Sequence, residues 1–219
     1  IYAKSGEHGK ACLYCLELIV EKKLTQKAFS NLISILEREE LYTAALSVLN
    51  LDICDIVPHA KSLQLANLLR KANDSEQALI FAKEAIELNP ENGKAWSTYS
   101  AILWDLGNEK EALNACSKAL SYGDSIDPLN NSASINIDLG RYTEALSNIE
   151  KVLEMNPTHS NCNFLKSSIK LMELDFNKGW HNYSFRTKMF TEHVANVPLY
   201  TGQLSGQLLV LSEQGIGDE

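Results

Sequence analysis

Alanines recur along this chain at a nearly constant interval, and that recurrence restricts the fold more than any other feature. Ala11, Ala44, Ala78, Ala112 and Ala145 stand 33, 34, 34 and 33 residues apart, each near the start of an apolar segment. Gly6, Gly107 and Gly140 lie five residues ahead of three of them, while Glu39 and Asn73 fill that place in the other two. Pro90 and Pro157 follow their alanines by twelve residues. Each unit therefore reads as a helix, a tight turn, a second helix and a proline-marked exit. A unit this short lies below the roughly 40 residues that an independent core requires. Neighbouring units must therefore stack and cover one another's apolar faces.

The local pattern agrees. From Lys94 to Leu106, the residues Trp96, Tyr99, Ala101, Leu103 and Leu106 recur with the helical period. Gly107-Asn108 supplies the turn, because glycine tolerates the positive φ at a helix end. A second helix from Glu109 places Leu113, Cys116, Ala119 and Leu120 on one face. The alanine at its start has a steric reason: two antiparallel helices joined by a short turn approach closely, and a larger side chain would push them apart.

These units resemble the tetratricopeptide repeat, a helix pair of the same length. The residues carrying the likeness are Trp96, Tyr99, Leu103, Gly107, Ala112 and Ala119; Leu65, Ala66, Leu69, Ala78, Ala85 and Pro90; and Gly140, Tyr142, Ala145 and Pro157. The resemblance implies an all-α, right-handed helix-turn-helix solenoid. Its units would be a half repeat at 1–24, repeats at 25–58, 59–92, 93–125 and 126–159, and a degenerate repeat at 160–190. Because the half repeat opens inside its first helix, the chain reads as part of a longer array.

After about residue 190 the helical period stops, and Pro198, Gly202, Gly206, Gly215 and Gly217 follow in quick succession. Leu208 to Leu211 fits a short buried strand, and the loop from Glu213 to Asp218 contains two glycines. Strands leading into glycine loops present backbone amides to phosphates in α/β domains. Together with Asp175, Phe176, Gly179, Trp180, Tyr183, Arg186 and Leu204, this stretch resembles the junction at which bacterial tetratricopeptide arrays meet a glycosyltransferase-like domain of the GT-B type. Tyr200 departs from that pattern, standing where tryptophan is common. The resemblance implies that 191–219 is a linker followed by the first strand and loop of a truncated domain. It makes Asp218 a candidate acid/base or substrate-positioning residue of a parent enzyme. A helix-capping aspartate after a turn is the equally simple reading.

Composition narrows the function. With 28 acidic against 20 basic residues the formal charge is −8, opposite to the basic surface a non-specific nucleic-acid binder needs. No apolar run is long enough to span a membrane. Five cysteines in a chain of 219 residues fit reduced thiols in a cytoplasmic setting better than a disulfide framework. Cys12 and Cys15 form a C-x-x-C without a second pair or an H-x₃₋₅-H, so small buried apolar residues are expected there rather than a zinc or redox site. His8, His59, His159, His181 and His193 show no ligand spacing. Sequons at Asn73, Asn130 and Asn182 carry weight only in a secreted chain. No metal and no cofactor is expected, and the residues present are read as non-catalytic.

What remains is a binding surface. Stacking turns the first helix of each repeat toward a concave groove, whose expected lining includes Phe29, Ile33, Leu63, Asn67, Arg70, Lys94, Ser97, Ala101, Trp104, Asn130, Asn131 and Ser134. Amide, charged and aromatic groups in that mixture suit an extended peptide or protein segment. Trp104 is the expected anchor, unless the adjacent repeat covers it. A carboxylate clamp of the chaperone-tail type is rejected, since Leu63, Thr98 and Asp127 stand where its polar or basic groups would be. The isolated Asn67 and Asn131 do not make an asparagine ladder. The expected function is a protein-interaction scaffold, with a substrate-selecting arm of a glycosyltransferase as the alternative and self-association through exposed repeat ends as a further possibility.

Overall fold

The computed structural model describes residues 25–51 and 56–183. Among them are ten α-helices and no strand: α1 (Gln26–Arg38), α2 (Tyr42–Leu49), α3 (Pro58–Lys71), α4 (Ser75–Leu88), α5 (Gly93–Asp105), α6 (Glu109–Ser121), α7 (Ile126–Asp138), α8 (Tyr142–Met155), α9 (Ser160–Met172) and α10 (Phe176–Tyr183). They fall in two compact units divided after Gly140, α1–α7 in the first and α8–α10 in the second. The half repeat at 1–24, the C-x-x-C and the proposed strand, loop and Asp218 of the tail lie outside the described residues.

One turn geometry recurs. Each first helix ends in a residue of left-handed conformation: Glu40 (φ 57°), Asn73 (φ 61°), Gly107 (φ 75°), Gly140 (φ 71°) and Leu174 (φ 61°). Where the following amide is described within the same unit, it reaches back to the carbonyl five residues earlier. Leu41 donates to Leu36 at 2.8 Å, Asp74 to Leu69 at 2.9 Å, Asn108 to Leu103 at 2.8 Å and Asp175 to Lys170 at 2.9 Å. These bonds satisfy carbonyls that the helix end would otherwise strand.

This geometry corrects the alanine register in the first pair. Because the left-handed residue is Glu40 rather than Glu39, the alanine five residues on is Ala45, which is fully buried, whereas Ala44 is partly exposed. Ala45, Ala78, Ala112 and Ala145 are all fully buried. The fifth pair continues the row with Gly179, five residues after Leu174. A Cβ added there would lie 2.5 Å from Leu171 Cδ2, and the Ser167 hydroxyl donates to the Gly179 carbonyl at 2.7 Å. Helices α9 and α10 thus approach closely at Gly179, where an added methyl would require the Leu171 side chain to shift.

In the first unit each core draws on a helix pair and the first helix after it. Phe29, Leu32, Ile33 and Leu36 of α1 meet Ala45, Val48 and Leu49 of α2 and Leu65 and Leu68 of α3. Ala66, Ala78 and Ala82 meet Ile102. Leu103, Ala112, Ala115 and Cys116 meet Ile135. Helices α3 and α5 thus each serve two cores, as expected of units that cannot bury their apolar faces alone. In the second unit α8 buries Ala145, Ile149 and Val152, α9 buries Cys162 and Ile169, and Lys166 of α9 pairs with Glu150 of α8 at 3.5 Å.

Helix starts follow local chemistry. Thr25, Asp74 and Asn92 accept amide hydrogen bonds from the first turns of α1, α4 and α5, and Pro58 opens α3, where its missing N–H is harmless. His159 caps α9, its Nδ1 accepting from the Cys162 amide at 3.2 Å.

Candidate functional site

Two rows of polar contacts link consecutive first helices of the first unit. In one row, Lys71 Nζ meets Glu37 Oε2 at 2.7 Å. Arg70 forms a two-pronged pair with Asp105, Nε to Oδ2 at 2.6 Å and the second nitrogen to Oδ1 at 3.2 Å. The Trp104 indole N–H donates to Asp138 Oδ2 at 2.7 Å. Counted back from the buried alanine of each pair, the partners always stand eight residues ahead in one repeat and seven in the next. The same two positions are therefore filled by an acid and a base, a base and an acid, then an indole and an acid.

The second row is made of small polar side chains. Thr98 Oγ1 donates to Asn67 Oδ1 at 3.2 Å, while Asn67 Nδ2 donates to the Leu63 carbonyl at 3.1 Å. Asn131 Nδ2 donates to Ser100 Oγ at 3.0 Å and to the Ser97 carbonyl at 3.1 Å. Thr98 and Asn131 occupy equivalent positions, and Gln64 is their counterpart in α3. Opposite Gln64, however, stand Ile33, which has no polar atom, and Ser34, whose hydroxyl bonds the Ser30 carbonyl. Gln64 Oε1 is buried without a hydrogen-bond partner.

The structure redistributes the expected groove residues. Phe29 and Ile33 are 2% and 3% exposed and belong to the first core cluster. Ser97, Ala101 and Ser134 are buried as well. These five do not line an open groove: Phe29 and Ile33 pack against α2 and α3 in the first core cluster, and the Ser97 hydroxyl donates to Asp124 Oδ2. Leu63, Asn67, Arg70, Trp104, Asn130 and Asn131 are half-buried, and Lys94 is exposed. Trp104 is engaged within the repeats: its ring edges the third core cluster, and its N–H is tied to the next repeat.

A cleft of about 380 Å³ opens on the other side of the helix pairs, between α4, α5 and α6. Its walls include Trp96, Tyr99, Lys83, Glu87, Glu111 and Lys118. Burial, reinforced by the Glu111 carboxylate, raises the Tyr99 phenol above its ordinary pKa. Reasoning that looked only along first helices missed this cleft, although Trp96 and Tyr99 stood out in the sequence. Burial also raises the thiols of Cys116 and Cys162, the latter to about 11, which leaves both protonated and unreactive at neutral pH. Among the described residues no group of His, Cys, Asp and Glu could hold a metal ion, and no helix is long and apolar enough to cross a membrane.

Comparison with known proteins agrees with this geometry. Residues 63–92 and 126–159 match the family model of the tetratricopeptide repeat, so the chain carries such repeats. FlbA of Caulobacter vibrioides is 27% identical over 168 residues, covering 71% of this chain but only 28% of FlbA. Among solved structures, a thermophilic tetratricopeptide protein of Thermus thermophilus superposes with a TM-score of 0.59 at 20% identity, over 73% of this chain and 88% of that one. PilF of Pseudomonas aeruginosa gives 0.61 at 16% identity, over 74% and 75% of the two chains. YrrB, a tetratricopeptide protein with an unusual peptide-binding site, gives 0.52 at 18% identity, over 74% and 84%. At these identities the structures share the all-helical repeat fold.

Proposed function

We propose that the chain is a protein-interaction module that holds an extended peptide along the exposed flanks of α3, α5 and α7. The observation that carries this reading is unused hydrogen-bonding capacity on side chains already fixed in place. Asn131 directs its amide nitrogen inward to Ser97 and Ser100, leaving Oδ1 as an acceptor for a peptide N–H. Asn67 has both amide ends engaged yet keeps one N–H for a peptide carbonyl. Amides held this way lose little rotamer freedom when a ligand arrives. YrrB, with its peptide-binding site on the same fold, supports the reading by analogy.

The test is selection of peptides from a displayed library on the full chain, followed by nuclear magnetic resonance of the side-chain amides. Selected peptides shift the Asn67 and Asn131 signals, and N-methylation at one or two peptide positions weakens binding about tenfold. Binding that leaves both amide signals unmoved would place the ligand elsewhere.

Self-association is a second reading, favoured by α10, where Phe176 and Trp180 lie four residues apart and are 55% and 58% exposed. Light scattering over a concentration series decides it, and a monomer throughout rules it out. The glycosyltransferase-arm reading rests on residues of α10 together with tail residues outside the described ones. Sugar-nucleotide turnover by the parent reading frame, lost on Asp218→Ala, would establish it.

A further inference from the structure

We propose that the cleft between α4, α5 and α6 receives an arginine side chain of a partner protein, with the Trp96 indole as its platform and Glu87 and Glu111 as its counter-charges. This second site lies on the side of the second helices, away from the peptide surface described above. Its platform is rigid: the Trp96 N–H donates to the Pro90 carbonyl at 2.8 Å, and Tyr99 meets the ring edge-on at a centroid distance of 6.0 Å and an angle of 81°.

A cation already occupies that platform. Lys118 Nζ lies 4.2 Å from the Trp96 ring centroid, so the indole face is oriented to attract a cation and holds one reversibly on a flexible stem. Lysine is the weaker occupant, because its compact ammonium holds water strongly and its long stem loses rotamer freedom. A guanidinium is planar, less hydrated and stacks on an indole face. Lys118 is thus a placeholder that an incoming arginine displaces into solvent, where its flexible stem readily carries it.

Two carboxylates and two ammoniums line the cleft, and the carboxylates supply the counter-charge for that exchange. Glu87 and Glu111 are exposed, and among the described residues neither forms an ion pair or a hydrogen bond. Lys83 on the same wall opposes a cation, but it is exposed and its ammonium can turn to water. The formal charge of −8 attracts a basic partner over longer range.

The experiment titrates the full chain with the capped pentapeptide Gly-Gly-Arg-Gly-Gly and with versions carrying citrulline or glutamate in place of arginine. Heat is recorded by calorimetry, and the Trp96 indole N–H is followed by nuclear magnetic resonance. The arginine peptide should bind and shift that signal, with the uncharged citrulline peptide about tenfold weaker. Glu87→Gln with Glu111→Gln should weaken the arginine peptide about threefold to tenfold. Lys118→Met should tighten it about threefold, since no resident cation is then displaced. The three substituted side chains are exposed, and an unchanged unfolding midpoint for each variant checks that the effects read binding alone. Equal binding of the arginine and citrulline peptides, weakening by Lys118→Met, or preference for the glutamate peptide would each overturn the proposal. The last result would make the two lysines the site of an acidic partner.

Discussion

The junction between α1 and α3 and the two that follow it place different chemistry at equivalent positions. Between α3 and α5 the row of small polar residues closes through Asn67 and Thr98, and between α5 and α7 through Ser100 and Asn131. Between α1 and α3 the facing residue is Ile33, which joins Phe29, Leu32, Leu36 and Leu68 in an apolar cluster and leaves Gln64 Oε1 buried and unpaired. A repeat scaffold can therefore join neighbours by apolar area or by matched hydrogen bonds. The second option fixes register, while the first supplies more free energy per contact.

If that contrast holds, the largest effect belongs to the apolar junction. Leu68→Ala removes a fully buried side chain from the first cluster and should destabilise by about 2–5 kcal/mol, measured by denaturant unfolding. At the polar junction, Asn131→Ala removes two hydrogen bonds but leaves the Ser100 hydroxyl donating to the Ser97 carbonyl at 2.8 Å, and should cost about 0.5–1.5 kcal/mol. A loss for Leu68→Ala no greater than that for Asn131→Ala would break the comparison. Gln64→Leu acts in the opposite direction. It replaces the unpaired amide with an apolar side chain facing Ile33, and should stabilise by about 1 kcal/mol. An unchanged or lower stability would show that the amide is paired in solution.

Much of this architecture was legible in the chain, and the misses have physical causes. Gly107 and Gly140 marked turns because glycine is the residue that takes positive φ without strain. Glu40, Asn73 and Leu174 adopt the same conformation without that marker, because the packing of the two helices dictates the turn whatever the residue. With no glycine to set the frame, and with Ala44 and Ala45 adjacent, the first pair was read one residue early. Gly179 stood 34 residues after Ala145, and that spacing was the signal that the helix pair keeps the register of the earlier ones. The peptide surface was less legible. Periodicity assigns a residue to a helix face, but how far the next helix covers that face depends on how the two pack. That is why Ile33 is core while Leu63 is half exposed.

The smallest effect offers the finest test, because one row of positions holds two kinds of bond. Arg70 and Asp105 form an ion pair whose side chains are 34% and 31% exposed. Trp104 and Asp138, one repeat on, replace the guanidinium with a neutral indole donor. Solvent screening limits the ion pair, so a double-mutant cycle with Arg70→Met and Asp105→Asn should give a coupling of about 0.5–1 kcal/mol at low salt. At 1 M salt the Debye length falls to roughly 3 Å, and most of that coupling should disappear. The cycle with Trp104→Phe and Asp138→Ala should give a similar coupling that salt reduces far less, since only one partner is charged and the bond is short and directional. Equal salt sensitivity in the two cycles would mean that the row acts through the net field of its carboxylates. A difference would show that it holds the repeats in register bond by bond, with charge as one of two interchangeable ways of making the bond.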